Sequence, residues 1–329
     1  MTSTEFKPTL FPSSVASRYA ASRILITGVT GFIGAHLADA LQAAGAQVDG
    51  VARRQPIPGF NDASPVRIAD LTDLTACRAL IKETQPDHIF HLASHVTGRQ
   101  DIPSVLETFQ GNLLAAVNLF TAVSETARPR SIVVAGSSEE PRHFAIDDLA
   151  TAPYSPYAAA KLGQSAYAAF FRSTMGLPIS HARIFMGYGP RQLDLRKLIP
   201  YVILSLLRGE TPVLSSGRRL ADFTEVSDIV AGLLALGLRP DLASADIGTG
   251  QLHSVAEVAT KLRDMIDPMA QLAFGAAPDR INETKLKADV AKSYKDLNWR
   301  PVVELQTGLR HTVDWYRAEQ GRLQDTVLR

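Results

Sequence analysis

The sequence predicts an α/β protein, a doubly wound parallel sheet with a smaller C-terminal α/β lobe. Short apolar runs alternate with amphipathic segments of helical length over residues 23–185, and the alternation loosens over residues 186–329. Strands separated by helices need crossover connections, which favour a parallel sheet covered on both faces. A glycine-rich turn follows the first apolar run. The boundary is soft, because one chain can cross between lobes more than once.

The predicted strands of the sheet are short, apolar and bounded by turn residues. In order they are RILITG, AQVDGVA, PVRIADL, HIFHLAS, SIVVAGSS and PISHARIF. The helices between them are GFIGAHLADALQAAG, DLTACRALIKETQ, VLETFQGNLLAAVNLFTAVSETA and PYAAAKLGQSAYAAFFRSTMG. Beyond them, strands PVLSS, ADIGTG and QLAF mix with four further helices, which we assign to the smaller lobe. Residues 1–22 are polar and proline-broken, so we expect a mobile arm or a partner-contacting extension.

The composition excludes several classes of function. Lys and Arg total 34 against 33 Asp and Glu, so the chain has no strong field for nucleic acid or an acidic membrane. No apolar run approaches the roughly 18 residues of a membrane span. Cys77 is the only cysteine and no metal-ligand spacing occurs, so we expect no disulfide, no metal and a cytoplasmic location.

The turn TGVTGFIG has the spacing of a dinucleotide-binding loop. Gly28 permits the tight turn, Gly31 lets backbone N–H groups approach a pyrophosphate, and Gly34 lets helix and strand pack closely. An ordinary strand–helix turn needs only one of these glycines. We therefore expect a Rossmann-type dinucleotide-binding domain over 23–185 and a mainly substrate-binding lobe over 186–329. The predicted loop contacts are Gly28, Thr30, Gly31, Phe32, Ile33 and Gly34.

The end of the second strand indicates which dinucleotide binds. An NAD site usually has Asp or Glu here, whereas this chain has Ala52 followed by Arg53 and Arg54. A guanidinium can pair with a 2′-phosphate, so NADP(H) is favoured and NAD(H) stays possible. The alternative is that both arginines belong to a solvated loop. Asp70 and Leu71 follow the third strand, at the expected adenine edge.

Tyr157 and Lys161 are four residues apart in SPYAAAK, so they share one face of a helix. An ammonium close to a phenol favours the phenolate, and a shift of about 3 pKa units takes roughly 4 kcal/mol. Such an effect needs a desolvated cluster. Ser137 and Ser138 end the preceding strand, where a hydroxyl can hydrogen-bond a substrate oxygen.

The ordered motifs GVTGFIG, ADL, HLAS, GSSEE, SPYAAAK, GYGPRQ and ADFTEVSDIV resemble the extended short-chain dehydrogenase/reductases that modify nucleotide sugars. The resemblance runs from about residue 23 to about residue 317. It implies a Ser137–Tyr157–Lys161 triad, a nicotinamide cofactor and a nucleoside-diphosphate sugar as the substrate. It also implies a homodimer formed by the helices at 104–126 and 156–175. Further implied cofactor contacts are Leu92, Ala93, Ser94 and Asn112, with Asn112 alternatively a helix residue that faces a neighbour.

Three reactions share this scaffold: 4-epimerisation, 4,6-dehydration and ketoreduction. GSSEE is most similar to the enzymes that reduce GDP-4-keto-6-deoxymannose, and exchangeable NADPH suits a net reduction. Glu139 stands where the dehydratases of the family have an acid/base glutamate, whereas the usual aspartate before it is Ser138. A solvated loop is the alternative for Glu139 and Glu140. We expect 4-keto reduction, with an NAD-dependent epimerase or dehydratase and a non-catalytic cofactor-binding scaffold as alternatives.

The substrate half departs from the pattern of the family. Met186 replaces a usual asparagine, Ala221 replaces a usual arginine, and Pro141-Arg142 replaces a tyrosine-glycine pair. We expect Arg191, Arg219 and Arg280 to bind the diphosphate instead, although each of them could equally be a surface arginine. The predicted substrate contacts are His95, Met186, Arg191, Lys197, Arg219 and Arg280.

Overall fold

The computed structural model describes residues 13–54, 66–279 and 287–327, so Arg280 lies outside the described residues. Its strands are β1 Arg23–Thr27, β2 Gln47–Ala52, β3 Val66–Ile68, β4 His88–His91, β5 Ser131–Ser137, β6 Ile179–Ile184, β7 Met186–Tyr188, β8 Val213–Leu214, β9 Leu220–Ala221, β10 Phe223–Glu225, β11 Ser244–Ile247, β12 His253–Ser254 and β13 Ala273–Phe274. Seven of them form one sheet in the order β3-β2-β1-β4-β5-β6-β11, with every neighbouring pair parallel. The predicted doubly wound parallel sheet is confirmed.

The helices are α1 Ser13–Ala16, α2 Phe32–Ala43, α3 Leu74–Thr84, α4 Ile102–Thr108, α5 Ala115–Thr126, α6 Pro156–Ser173, α7 Leu198–Leu207, α8 Val226–Gly237, α9 Val255–Ile266, α10 Val290–Leu297 and α11 Leu305–Val327. The start of α6 follows from its sequence. The Ser155 hydroxyl accepts the N–H of Ala158, and Pro156 occupies a first-turn position where no N–H is needed. None of the helices within the described ranges is both long and apolar enough to span a bilayer.

Helices cover both faces of the sheet. The side chains of a β-strand alternate between the two faces, and apolar residues on each face need cover. Ile24 and Ile26 of β1 pack with α2 and α8 on one face. Leu25 points to the other face, which is covered by α3, α5 and α6. The smaller lobe has its own core, in which Val202 of α7, Val258 of α9 and Leu309 of α11 are buried together.

The chain returns to the large sheet after it has entered the smaller lobe. The prediction assigned ADIGTG and EVSDIVAGLLALGL to the smaller lobe, but β11 is the edge strand of the main sheet and α8 packs beneath that sheet. The physical reason lies in α8 itself, where eleven of twelve residues are buried, so the helix needs cover on more than one side.

Two further expectations differ from the structure. Of the expected extension over residues 1–22, residues 1–12 lie outside the described residues. The described remainder is not a mobile arm, because Tyr19 is fully buried, donates to Leu234 O at 2.7 Å and packs against His88 and Phe90. The long helix expected from 104 to 126 is interrupted by a π-helix over Phe109–Leu114. Such wide turns are often found at functional sites.

Candidate active site

The glycine turn between β1 and α2 is shaped by close backbone approaches. Gly28 has φ +74°, and a Cβ there would lie 2.7 Å from the backbone N of Ala93. A Cβ on Gly34 would lie 2.2 Å from the carbonyl oxygen of Gly28. Gly31 is the exposed N-cap of α2 and offers no capping side chain, so the first N–H groups of the helix are available to an anion. These features fit a dinucleotide pyrophosphate. The remaining residues of the turn are Thr30, Phe32 and Ile33.

At the next strand end, β2 stops at Ala52, and Arg53 and Arg54 follow as exposed residues. Asp70, also exposed, accepts the N–H and the hydroxyl of Thr72 at 2.9 and 2.8 Å. These bonds from Thr72, with a smaller contribution from Arg53, lower the pKa of Asp70. The neighbouring ends of β2 and β3 therefore present two cations and one carboxylate.

Tyr157 and Ser137 meet where β5 ends and α6 begins. The buried phenol of Tyr157 shares hydrogen bonds with the hydroxyls of Ser137 and Ser94. Burial raises the pKa of Tyr157 and the Glu139 carboxylate raises it further, while the two hydroxyls lower it in part. In this structure Tyr157 is therefore a neutral phenol, able to donate a proton to an oxygen placed beside it.

Lys161 lies one turn beyond Tyr157, with its side chain fully buried. Its ammonium donates to the carbonyl oxygen of Ala135 at 2.7 Å and to Oε1 of Gln164 at 3.1 Å. Burial lowers the pKa of Lys161 to about 8, and Glu140 opposes that shift. The pKa of Tyr157 is raised and not lowered as expected, because burial of the phenol outweighs the hydrogen bonds from Ser137 and Ser94.

Asn112 fixes the segment that follows β4. Its Oδ1 accepts the Ser94 hydroxyl at 3.0 Å and the His95 N–H at 2.6 Å, and its Nδ2 donates to His95 O at 3.2 Å. Gln164 donates to the carbonyl oxygen of Asn112 at 3.2 Å, and the Asn112 side chain is fully buried. Asn112 therefore faces a neighbouring segment and positions Ser94, which contacts Tyr157. Other predicted contacts in the described ranges are Leu71, which is buried, and the half-buried Leu92 and Ala93.

The turn after β5 holds its two glutamates differently. Glu139 is half-buried, and its N–H donates to the Ser137 hydroxyl at 3.1 Å. Glu140 is 1% exposed, so the solvated-loop alternative is wrong for this residue. Ser138 N–H donates to Ile184 O at 2.9 Å. The turn is thereby fixed to the sheet, with the Glu139 carboxylate outside the core.

A cavity of about 690 Å³ opens in the smaller lobe. Arg219, which the sequence predicts to contact a diphosphate, lines this cavity, and Lys197 is the N-cap of α7 between the lining residues Arg196 and Leu198. The other lining residues are Leu195, Arg196, Leu198, Tyr201, Val213, Leu214, Ser215, Ser216, Arg218, Leu220, Val255, Ala277, Pro278 and Asp279. The lining combines apolar side chains with arginines and one carboxylate, as is common in ligand pockets.

Three predicted substrate contacts lie elsewhere. Arg191 has φ +64° and forms an ion pair with Asp39 of α2, which ties the segment after β7 to the dinucleotide domain. His95 lies 3.4 Å from the Glu107 carboxylate. Met186 is half-buried and begins β7. Within the described ranges, no cluster of three or more His, Cys, Asp or Glu side chains could hold a metal.

Comparison with known proteins agrees with this geometry. The model of the NAD dependent epimerase/dehydratase family matches residues 24–247. The chain belongs to this family. A UDP-glucose 4-epimerase of Mycolicibacterium smegmatis is 28% identical over 312 residues, which cover 90% of this chain and 98% of that relative.

Solved structures of the epimerase/dehydratase type share the whole fold. An epimerase of Methanothermobacter thermautotrophicus superposes with a TM-score of 0.85 at 23% identity, covering 97% of this chain and 99% of its own. The NAD-dependent NDP-hexosamine 5,6-dehydratase TunA has a TM-score of 0.78 at 30% identity and covers 90% of this chain and 98% of its own.

Sequence reasoning missed the residues that support the triad from behind. Gln164 bonds Lys161 and Asn112, and its place three residues after Lys161 on one helix was a readable signal. His181 lies beside Glu140 but comes from β6, so no local spacing connects the two. Gly136 was missed for the same reason. Only the packed sheet shows that the absence of a side chain there leaves room for His181 and Glu140.

Proposed function

We propose that this protein is an NADP(H)-dependent oxidoreductase that reduces the 4-keto group of a nucleoside-diphosphate sugar. The buried cluster of Ser137, Tyr157 and Lys161 beside the glycine turn carries the proposal. A bound nicotinamide supplies the hydride. The cytoplasmic location stays a prediction that rests on the single, buried Cys77.

The three side chains handle the proton that accompanies the hydride. Tyr157 donates its phenolic proton to the carbonyl oxygen, and the hydroxyl of Ser137 polarises the same oxygen. The ammonium of Lys161 stabilises the phenolate that forms. A positioned acid of this kind typically accelerates a reaction by about 10²- to 10⁴-fold.

The preference for NADP(H) is supported by the end of β2. Ala52 cannot accept hydrogen bonds from ribose hydroxyls, whereas the exposed Arg53 and Arg54 can pair with a 2′-phosphate. A net reduction consumes its cofactor, so an accessible and exchangeable site suits this chemistry. The named relatives in the family bear on the substrate class, because they act on nucleotide-linked sugars.

The alternative is an epimerase or dehydratase that retains NAD, and two observations favour it. The curated relatives include UDP-glucose 4-epimerase and probable dTDP-glucose 4,6-dehydratase. Glu139 is also half-exposed beside Ser137, where a carboxylate could take a proton from a sugar carbon. A non-catalytic scaffold has less support, because all three triad residues are present.

The experiment is to identify the released cofactor and then assay turnover with 4-keto and 4-hydroxy nucleotide sugars. We expect consumption of added NADPH with the 4-keto substrate. Tyr157→Phe should lower kcat by at least 10²-fold and leave cofactor binding intact, with Tyr167→Phe on the exposed face of α6 as the control. Tightly retained NAD, together with turnover that needs no added NADPH, would refute the reductase proposal and support an epimerase or dehydratase.

We also propose that the protein is a homodimer joined by α4, the π-helix and α6. These elements contact each other and expose Leu106 at 66%, Phe109 at 47% and Phe170 at 47%. A second copy would bury such a patch by a two-fold contact. Leu106→Glu should shift wild-type dimer to monomer in sedimentation velocity, whereas Ile146→Glu, at a position that is still more exposed (88%), should not. A wild-type monomer at micromolar concentration would contradict the assembly.

A further inference from the structure

A buried carboxylate lies directly behind the triad. Glu140 Oε1 accepts the backbone N–H of Ser137 at 2.5 Å, so the carboxylate fixes the end of β5. The other oxygen, Oε2, lies 3.3 Å from Nε2 of His181 without hydrogen-bond alignment. A carboxylate that is 1% exposed is costly unless charges or N–H groups compensate it, so its presence needs an explanation.

The pocket that holds this carboxylate depends on Gly136. A Cβ there would lie 2.1 Å from Cε1 of His181 and 2.8 Å from Oε1 of Glu140. The backbone of Gly136 has no unusual φ, so clearance and not conformation explains the glycine. Gly136, Glu140 and His181 therefore form one unit, built from two adjacent strands and the turn after β5.

Lys161 holds the same strand end from α6, on the face of the sheet where Ile132 and Val134 pack against that helix. Its ammonium donates to two neutral acceptors, Ala135 O and Gln164 Oε1, yet it is fully buried. The Ala135 carbonyl and the Ser137 N–H belong to the two consecutive peptide groups that flank Gly136, so Lys161 holds one of them and Glu140 holds the next. The strand end is thereby held by a cation and an anion.

We propose that Glu140, which lies beside His181 in the space left by Gly136, is the charge partner of Lys161 and a positioning residue for Ser137. The titratable groups that face Glu140 are His181 from β6 and both Tyr157 and Lys161 from α6. Lys161 in turn faces His91 of β4, which is neutral because burial lowers its pKa to about 3. Burial alone raises the pKa of Glu140, but His181, Ser137 N–H and Lys161 outweigh it, so Glu140 is ionised.

The role assigned to Glu140 in catalysis rests on the proposed function, but its effect on Lys161 can be measured without turnover. The probe is the apoprotein carrying ¹³C,¹⁵N-lysine, in which the side-chain resonances of Lys161 are followed against pH by NMR. Lysines at exposed positions titrate near pH 10.4, so a midpoint near 8 identifies Lys161, with Lys161→Met as the assignment control.

Glu140→Gln removes the charge and keeps the shape. We expect the Lys161 midpoint to move to lower pH by on the order of one unit, since an opposite charge has been removed. Glu139→Gln is the matched control and should leave the midpoint within a few tenths of a unit, because Glu139 is not among the groups that act on Lys161. An unchanged midpoint in folded Glu140→Gln overturns the proposal.

A second variant tests the proposal in case Glu140→Gln does not fold. Glu140→Met combined with His181→Leu replaces the pair by apolar side chains of similar size, which buried pairs often tolerate. It should lower the Lys161 midpoint as Glu140→Gln does, and the opposite result counts against the proposal. If an active assay is in hand, the alkaline limb of kcat should shift to lower pH in the same variants. Absence of turnover would bear on the proposed function and leave the NMR result intact.

Discussion

Replacing Gly34 by alanine tests whether the glycine turn is built by backbone clearance. The added Cβ would lie 2.2 Å from Gly28 O, against about 3.4 Å for an ordinary contact, and 2.9 Å from Gly28 C and Val29 Cα. All three atoms belong to the backbone, so no flexible side chain can move aside. The start of α2 must therefore move away from β1 by about an ångström.

The cost of Gly34→Ala can be bounded from the same geometry. Overpacking a tight site costs about 1–3 kcal/mol, and the backbone overlap places this site at the upper end. Alanine returns about 1 kcal/mol through its higher helix propensity. We expect a net loss of about 2 kcal/mol in the free energy of unfolding, and dinucleotide affinity at least tenfold weaker because the helix N-terminus is displaced.

The assay for Gly34→Ala combines urea denaturation with a fluorescence titration of NADPH and NADH. Gly321→Ala in α11 is the matched control, because a Cβ there meets no atom within 4 Å. It should gain stability and leave cofactor binding unchanged. Wild-type stability and affinity in Gly34→Ala would refute the clearance argument.

Three further predictions follow from the same site. Ala52→Asp should shift cofactor selectivity towards NAD(H) by at least tenfold in Kd, because the carboxylate bonds ribose hydroxyls and repels a 2′-phosphate; unchanged selectivity in competitive titration would contradict it. Asn112→Ala should lower the free energy of unfolding by about 1–3 kcal/mol, since the N–H and C=O of His95 lose their partner; urea denaturation measures this. The folded-state pKa of Lys161, about 8, lies below its unfolded value of 10.5, so the unfolded chain binds one more proton between them. Stability of the wild type relative to Lys161→Met should therefore rise as pH increases through this window; a flat difference in thermal denaturation would contradict it.

The fold could be predicted because its signals are local. Periodicity and glycine spacing identified every strand from β1 to β6, since each is an apolar run bounded by turn residues. The π-helix and the return of β11 to the sheet could not be predicted this way. The first is set by the fit of Asn112 under residues 94–95, and the second by strand pairing across more than sixty residues, with Ser244 beside His181.

The candidate site could likewise be predicted only where its signals are local. Tyr157, Lys161 and Ser137 were identified because their spacing encodes one helix face and one strand end. Their charges could not be predicted from spacing, because burial decides them: the same motif that suggests a phenolate holds a neutral phenol in this structure. A buried counter-charge helps Lys161 to stay an ammonium near neutral pH, and Glu140, which acts on it in this way, was left open in the sequence as a residue of a solvated loop. Its role becomes visible only when the sheet brings His181 and the bare backbone of Gly136 beside it. In this protein the residue types predict the reaction partners, and the packing of the sheet sets the protonation states in which they act.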